Sequence, residues 1–473
     1  GSHTCTILDD SSIKCWGEND QGQLGLGNTT DSPNASLVDM GSGITAKAIA
    51  AGESHTCAIL NNSAIKCWGR ASEGQIGLIK GDNNIGDGVG EMVVEESKLA
   101  KMGTGRTATA IAAGKYHNCA LLDNSSIKCW GSNNAGQLGL GDTVNRGADP
   151  EGGDQMGDNL PSVDLGAGRS ARGITAGDNQ TCAILDNASI KCWGANASGQ
   201  LGIGDTNNRG DQSSEMGDTL PAVDLGSERT AKVIVAGGSH TCAILDNSAI
   251  KCWGLNQYGQ LGLGDADNRG TTSGQMGDAL DAVDLGSGIT AKAIAAGGDH
   301  TCVILDNSAI KCWGRSNEGQ MAKGGKNGNS FQIGDGTNEM GNSLEAIELG
   351  TGRTANAIAA GDQHNCVILD NSSIKCWGAN ASGQLGLGDA NNRGDLDDVG
   401  VSEMGDTLPI VDLGTGRTAR GIIAGDNQTC AIMDNASIKC WGENTSGQLG
   451  LGNTTNQGVN SNEMGDNLPV IDL

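Results

Sequence analysis

The chain has 473 residues, with 30 Lys and Arg against 56 Asp and Glu, for a formal charge of −26. That balance disfavours nucleic acid and anionic membrane surfaces as partners, because both are held through Lys and Arg that neutralise phosphate. Only eight Trp, two Tyr (Tyr116, Tyr258) and one Phe (Phe331) accompany 78 glycines, so the core must come from Ile, Leu, Val, Ala, Cys and Trp between many turns. No apolar run approaches the roughly 20 residues that cross a bilayer as a helix. The opening Gly1-Ser2-His3-Thr4-Cys5 reads as the interior of a larger pattern, so any targeting segment is expected outside this sequence.

That pattern is a repeat. A Cys-x9-Cys pair recurs eight times: Cys5 with Cys15, Cys57 with Cys67, Cys119 with Cys129, Cys182 with Cys192, Cys242 with Cys252, Cys302 with Cys312, Cys366 with Cys376, and Cys430 with Cys440. One Trp follows each second Cys, which uses every Cys and every Trp. No linker separates the copies, which read as one array with approximate boundaries 1–40, 41–102, 103–165, 166–225, 226–285, 286–349, 350–413 and 414–473.

In chain order, the repeat read over residues 222–265 predicts strands from Ala222 to Leu225, Lys232 to Ala236, His240 to Leu245 and Ile250 to Trp253. Gly237-Gly238 turns the chain between the second and third. Asp246-Asn247-Ser248-Ala249 does so between the third and fourth. Helical periodicity is absent from every copy. Four short strands per repeat of roughly 60 residues is the signature of a propeller blade. The expected fold is all-β: a β-propeller of eight four-stranded repeats, the first incomplete, or a seven-bladed ring with one protruding hairpin. The incompleteness arises because Gly1-Ser2-His3 aligns with Gly238-Ser239-His240, so copy one has no counterpart of the strand from Lys232 to Ala236. An unpaired edge invites another strand. A head-to-tail contact between copies of the chain is one expected source, a longer polypeptide another.

The core Gly-x-x-His-Thr-Cys-Ala-Ile-Leu…Ile-Lys-Cys-Trp-Gly-x-Asn-x-x-Gly-Gln-Leu-Gly resembles the repeat of the regulator of chromosome condensation family. Copies two and six depart from it, at Gly74-Gln75-Ile76-Gly77 and Gly319-Gln320-Met321-Ala322. The resemblance implies a propeller, usually of seven blades. Nucleotide exchange on a small GTPase, the role of the founding nuclear member, transfers poorly, because that protein's basic surface has no counterpart here. The paired cysteines resemble extracellular or cell-surface versions of the repeat.

The cysteines admit three readings. Pairing Leu60 with Ala64 around the Asn61–Ser63 turn puts Cys57 opposite Cys67, within about 4.5–5.5 Å between Cα atoms, a distance a disulfide bridges. Eight disulfides would imply an oxidising compartment. Small buried free thiols are the second reading. Metal is the third, because His55 and Cys57 share a strand face. Against metal, copies four and eight carry Gln180 and Gln428 in place of His yet keep both cysteines.

His3, His55, His117, His240, His300 and His364 occupy one repeat position, which suits a hydrogen-bonding strand residue better than a catalytic base. The lysines of Ile-Lys-Cys-Trp (Lys14, Lys66, Lys128, Lys191, Lys251, Lys311, Lys375 and Lys439) are expected to pair across strands with Asp39, Asp164, Asp224, Asp284, Glu348, Asp412 and Asp472. Copy two is the exception, with Lys101 where an acid is expected. Asp205–Gly210, Asp265–Gly270 and Asp389–Gly394 resemble the start of a calcium loop. Arg at the fifth position and the lack of Glu at the twelfth favour an internal Asp–Arg turn instead.

Thirteen Asn-x-Ser/Thr sequons are glycosylation candidates if the chain is secreted by a eukaryote: Asn28, Asn34, Asn61, Asn124, Asn179, Asn187, Asn196, Asn371, Asn380, Asn427, Asn435, Asn444 and Asn453. No nucleophile elbow, zinc-protease helix or phosphate-binding loop appears. The expected protein is non-enzymatic, with no cofactor, no catalytic residue and no metal site. It is expected to be an extracellular or cell-surface structural propeller that assembles with copies of itself. The alternative is a propeller that binds protein or glycan, and exchange-factor activity ranks below both.

Overall fold

The computed structural model describes residues 1–78, 83–148, 155–322, 332–394 and 403–473. Among these, eight antiparallel sheets follow one another, one per Cys pair. Copy four shows how the sequence builds one. Its inner strand Ala171–Ala176, middle strand Gln180–Leu185 and outer strand Ile190–Gly194 are joined by two tight turns. The register sets Cys182 opposite Cys192 and Thr181 opposite Trp193. A bulge between Ala171 and Gly173 shifts the inner strand by one residue, which adds local twist.

The sheets have three strands rather than the four expected, except in copy six, where Gln332–Ile333 adds a fourth. The segment from Ala222 to Leu225 does not join as a strand; Val223 N–H donates to Ile190 O at 2.8 Å and the ladder stops there. Antiparallel pairing uses alternate residues, so the next donor would be residue 221. That residue is Pro221, which has no N–H. Pro161, Pro409 and Pro469 hold the same place in other copies. Asp281 and Glu345 stand there in copies five and six and their segments also stop after one bond, so proline contributes to the short ladder without being its sole cause. Farther along the same edge Arg209 exchanges both backbone bonds with Gly194, at 2.8 and 3.1 Å. The outer edge is therefore pinned at its two ends by a loop. Copy one is also more than a bare hairpin: His3–Ile7 and Ile13–Gly17 are joined by Ser32–Leu37, and among the described residues His3–Ile7 is the edge strand of that sheet.

The hairpin turns close as predicted, with Leu185 N–H donating to Ser189 O and Ala188 N–H to Leu185 O, both at 2.9 Å. The third turn residue is left-handed in all eight copies (Ser11, Ser63, Ser125, Ala188, Ser248, Ser308, Ser372, Ala436; φ 62–68°).

The chain divides into two compact units, Gly1–Ile234 with Gly270–Gly277 and Leu473, and Val235–Arg269 with Asp278–Asp472. In each, the core lies between consecutive sheets. In the first, Cys119, Leu121, Ile127 and Cys129 of copy three pack on Ala183, Leu185 and Trp193 of copy four. In the second, Cys366, Ile368, Ile374 and Cys376 pack on Ala431, Met433 and Trp441. All eight Trp are fully buried. Truncating an indole of this kind costs about 3–5 kcal/mol.

Candidate functional site

Each Cys pair is a disulfide within its own hairpin, and no described cysteine is free. Cys5 is bonded to Cys15, Cys57 to Cys67, Cys119 to Cys129 and Cys182 to Cys192. Cys242 is bonded to Cys252, Cys302 to Cys312, Cys366 to Cys376 and Cys430 to Cys440. The Cα atoms of each pair lie 4.0–4.1 Å apart. That is closer than the expected 4.5–5.5 Å, because the two cysteines of each hairpin sit directly opposite each other in the ladder, as Cys15 does Cys5 and Cys440 does Cys430, and the bridge draws them together. The free-thiol reading fails on these bonds. The metal reading fails as well, since the Cys57 sulfur is bonded to Cys67 and His55 Nε2 lies 3.0 Å from Asn118 Oδ1. Among the described residues no group of three or more His, Cys, Asp or Glu side chains is placed to hold a metal ion.

The histidines join consecutive blades. His117 Nε2 lies 2.9 Å from Thr181 Oγ1, and Thr181 Oγ1 donates its one proton to the Gln137 carbonyl at 3.0 Å. The threonine has no second proton, so His117 is the donor and its tautomer is fixed as Nε2–H. His3, His240 and His364 make the same bond to Thr56, Thr301 and Thr429; His55 and His300 make it to the amide oxygens of Asn118 and Asn365. The indole N–H of the following blade donates to the same Gln carbonyl, as Trp193 to Gln137, Trp313 to Gln260 and Trp441 to Gln384, each at 3.0 Å. Gly-Gln-Leu-Gly, read from the sequence only as loop, thus carries the acceptor that ties one blade to the next. Its strict register with Trp was the signal available.

The expected Lys–Asp pairing is corrected. Lys191 Nζ donates to the carbonyls of Leu165 and Gly217, at 3.0 and 2.6 Å, and Lys439 Nζ to those of Leu413 and Gly465, at 3.0 and 2.7 Å. Burial lowers the pKa of both lysines. The carboxylate that most favours each charge is Asp218 or Asp466, in the Met-Gly-Asp loop, ahead of the expected Asp164 or Asp412. The expected acids cap their own turns instead: Asp164, Asp284 and Asp412 accept from Gly166, Gly286 and Gly414 N–H at 2.8–2.9 Å. Carbonyl oxygens suit a buried ammonium because three donors need acceptors there. In copy two Lys66 is fully buried and reaches the Glu91 carbonyl at 3.2 Å. Burial, with Lys98 adding repulsion, lowers its pKa to about 8.

The loop arginines close on their aspartates, Arg209 with Asp205, Arg269 with Asp265 and Arg393 with Asp389. The Asp205 carboxylate also accepts from Asn207 N–H at 2.9 Å, so it belongs to the turn. Three glycosylation candidates lie inside their loops. Asn196, Asn380 and Asn444 are fully buried. Asn196 Nδ2 donates to the carbonyls of Asp205 and Asn207 while Oδ1 accepts from Leu201 N–H. Asn28, Asn34, Asn61, Asn124, Asn187, Asn371, Asn435 and Asn453 are exposed, and Asn179 and Asn427 half-buried.

Sequence reasoning missed a surface feature. Both tyrosines lie under an arginine, Arg70 being 5.0 Å from the Tyr116 ring centre and Arg315 5.2 Å from that of Tyr258. Lys115 Nζ is 5.8 Å from the Tyr116 ring. Arg70 and Arg315 share one repeat position, directly after Trp-Gly in copies two and six, where the other copies carry Glu, Ser, Ala or Leu. Their side chains keep 35% and 28% of their exposure, and each is steadied by an acid, Glu73 at 3.8 Å and Asp299 at 3.4 Å.

Consecutive three-stranded sheets, tied Trp to Gln, define an array of β-propeller blades. The regulator of chromosome condensation (RCC1) repeat model matches residues 15–59, 129–184 and 192–244, and a second model of the same repeat matches 46–75, 108–137, 171–200, 232–260, 291–320 and 356–384. The chain belongs to the RCC1 repeat family. It is 25% identical over 410 residues to the ultraviolet-B receptor UVR8 of Arabidopsis thaliana, covering 86% of this chain and 79% of that one. It is also 25% identical to the human probable E3 ubiquitin-protein ligase HERC4, covering 69% of this chain but only 32% of the relative. Among solved structures it is similar in fold to Prp20 of Saccharomyces cerevisiae (TM-score 0.58, 17% identity, 88% of this chain and 89% of that one). Human WBSCR16 gives a TM-score of 0.57 at 15% identity, over 88% and 96% of the two chains.

Proposed function

We propose that this chain is a non-enzymatic, protein-binding propeller that works outside the cell or at its surface. The observation that carries the binding role is the pair of guanidinium–phenol stacks, Arg70 on Tyr116 and Arg315 on Tyr258. Tyr and Arg are the residue types that dominate the energy of protein interfaces. Stacking and an acid neighbour hold each arginine in place, which lowers the entropy lost when a partner docks. The eight disulfides support the extracellular assignment, since thiols stay reduced in the cytosol and nucleus. The test is an array of purified secreted proteins and ectodomains probed with the intact chain, Arg70→Ala/Tyr116→Ala and Arg315→Ala/Tyr258→Ala. Support is a partner whose affinity falls at least tenfold in one double variant that keeps the wild-type melting temperature. Binding indifferent to both double variants overturns the stacks as the contact, and turnover of a substrate overturns the non-enzymatic reading.

Self-association is a second proposal, supported by the place of His3–Ile7 at the edge of its sheet among the described residues. An edge strand can be extended by a strand of the same polypeptide or of a neighbour. Concentration-dependent sedimentation distinguishes the two, and a monomer at every concentration removes the assembly reading.

A further inference from the structure

We infer that the six buried histidines form an acid-released latch between consecutive blades, which holds at neutral pH and lets go in an acidified compartment. Each imidazole is 0–6% exposed and donates from Nε2 to the Thr or Asn of the next blade. That donor role fixes Nδ1 as the bare lone pair, and all six Nδ1 atoms lack a hydrogen-bond partner. A second proton must therefore go to Nδ1, where no acceptor receives it. The space there is closed by backbone: a Cβ added at Gly52 would lie 2.7 Å from His55 Nδ1 and 2.8 Å from the Gly114 carbonyl. Gly114, Gly237, Gly297 and Gly361 meet the rings of His117, His240, His300 and His364 in the same way.

The charged and titratable groups around the six rings offer little compensation. His3 faces the N-terminal amine and His55, His117 faces His55, and His240 faces His300; each neighbour opposes a proton. Only Asp299 near His300 and Asp426 near His364 favour one, and His364 also faces His300. Burial dominates at every site. It lowers the pKa of His3, His117 and His364 to about 3 and that of His55 and His240 to about 4, with His300 shifted the same way.

The sign follows from linkage. Folded values below the unfolded value of about 6.5 mean that stability is complete above pH 6.5 and falls as the pH drops toward 4. One pH unit below 6.5, each imidazole shifts the folding equilibrium about tenfold toward opening. Asp10, Asp158, Asp406 and Asp466, held low by hydrogen bonds from Ser12, Thr104, Thr351 and Thr415, lose their contribution only as the pH falls through the ordinary carboxylate value of 3.8 and below. Other acids pull the other way. Burial raises Glu18 and Asp362, and burial together with Glu91, Glu339 or Asp211 raises Asp87, Asp335 or Glu215, so their protonation favours the fold. Relief of the −26 charge also favours the compact state in acid. Without the histidines, mild acid should strengthen this protein.

The chain supplies its own control substitution, since Gln180 and Gln428 fill the histidine slot in copies four and eight. The experiment measures urea midpoints of the intact, disulfide-bonded chain between pH 7.5 and 4.5, followed by Trp fluorescence. The wild type should lose stability below pH 6.5. The six-fold His→Gln variant should keep its neutral midpoint and show a flat or rising profile into acid. Should the six-fold variant fail to fold, His117→Gln alone should remove close to tenfold of the loss between pH 7.5 and 5.5. A wild-type profile that does not fall below pH 6.5, or equal falls in wild type and variant, overturns the latch.

Discussion

The indole N–H of Trp193 donates to the carbonyl of Gln137 at 3.0 Å across 56 residues of sequence, and Thr181 Oγ1 donates to that same oxygen at 3.0 Å. One backbone oxygen in the Gly-Gln-Leu-Gly turn thus receives two side chains of the next blade. Gln260 and Gln384 do the same for Thr301 with Trp313 and for Thr429 with Trp441. Adjacent blades are joined by directed polar bonds as well as by the apolar contact between their faces.

Trp68 gives the first test, because its indole N–H is buried with no acceptor. Trp193→Phe and Trp68→Phe lose the same ring volume, but only the first loses a hydrogen bond. Trp193→Phe should be more destabilising than Trp68→Phe by about 1–2 kcal/mol. Urea denaturation of the two variants reads the difference directly. Equal losses would show that the shared carbonyl contributes nothing.

These residues also show what the sequence could reveal. The repeat count, the disulfide register and the Asp246–Ala249 turn were legible because each depends on local spacing: Cys-x9-Cys around three turn residues sets Cys57 opposite Cys67, and equally Cys252 opposite Cys242 and Cys312 opposite Cys302. Spacing alone does not decide between seven and eight blades. The fourth strand was misread because Val223 and Leu225 have strand character, while the segment makes only the one ladder bond from Val223 N–H to Ile190 O. Copies five and six, with Asp281 and Glu345 in place of Pro221, stop at the same bond. The lysine partners were misread for a related reason. Lys191 and Asp164 carry opposite charges on neighbouring segments, yet Nζ lies nearest to carbonyls of Leu165 and Gly217, and backbone oxygens leave no trace in side-chain identity. The arginine–tyrosine stacks were invisible because Tyr116 and Tyr258 occupy unrelated repeat positions and meet a common arginine position only in three dimensions.

Lys66 should set part of the alkaline behaviour. Its folded pKa of about 8 lies below the ordinary lysine value, so the fold disfavours its charged form. Stability should therefore rise as the pH climbs from about 8 toward 10.4, the unfolded lysine value. Lys66→Met should flatten that part of the rise, while Lys191→Met should destabilise at neutral pH by about 1–3 kcal/mol, because it leaves two buried carbonyls without a donor. Thermal melts between pH 7 and 10 test both, and no described free thiol is present to start disulfide exchange. An unchanged alkaline slope in Lys66→Met would contradict the assignment.

Glycosylation, if the chain is made in a host that adds N-glycans, should divide the sequons by burial. Occupancy is expected at exposed turn positions such as Asn187, Asn371 and Asn435, whose side chains only cap their own turns. None is expected at Asn196, Asn380 or Asn444, where both ends of the amide are bonded inside the loop. Glycopeptide mapping settles the division, and one folded molecule with a glycan on Asn196 would refute it.

Ala188 and Ala436 hold the left-handed place in their hairpin turns, with φ of 64° and 68°. A residue with a Cβ is strained there by roughly 1–2 kcal/mol, whereas glycine is not. Neither alanine has a side-chain polar group that could offset the strain through a local hydrogen bond. Glycine also adds freedom to the unfolded chain, which takes back about 0.4–1 kcal/mol. Ala188→Gly should on balance stabilise by up to about 1 kcal/mol, with Ala436→Gly additive because the two turns share no partner. The neighbouring Asn187→Gly lacks this logic: it removes the side-chain acceptor of Ser189 N–H, 3.1 Å away, and should destabilise. Urea midpoints of the three variants at pH 7.5 give the test. Destabilisation by Ala188→Gly equal to that of Asn187→Gly would mean that the turn carries no left-handed strain.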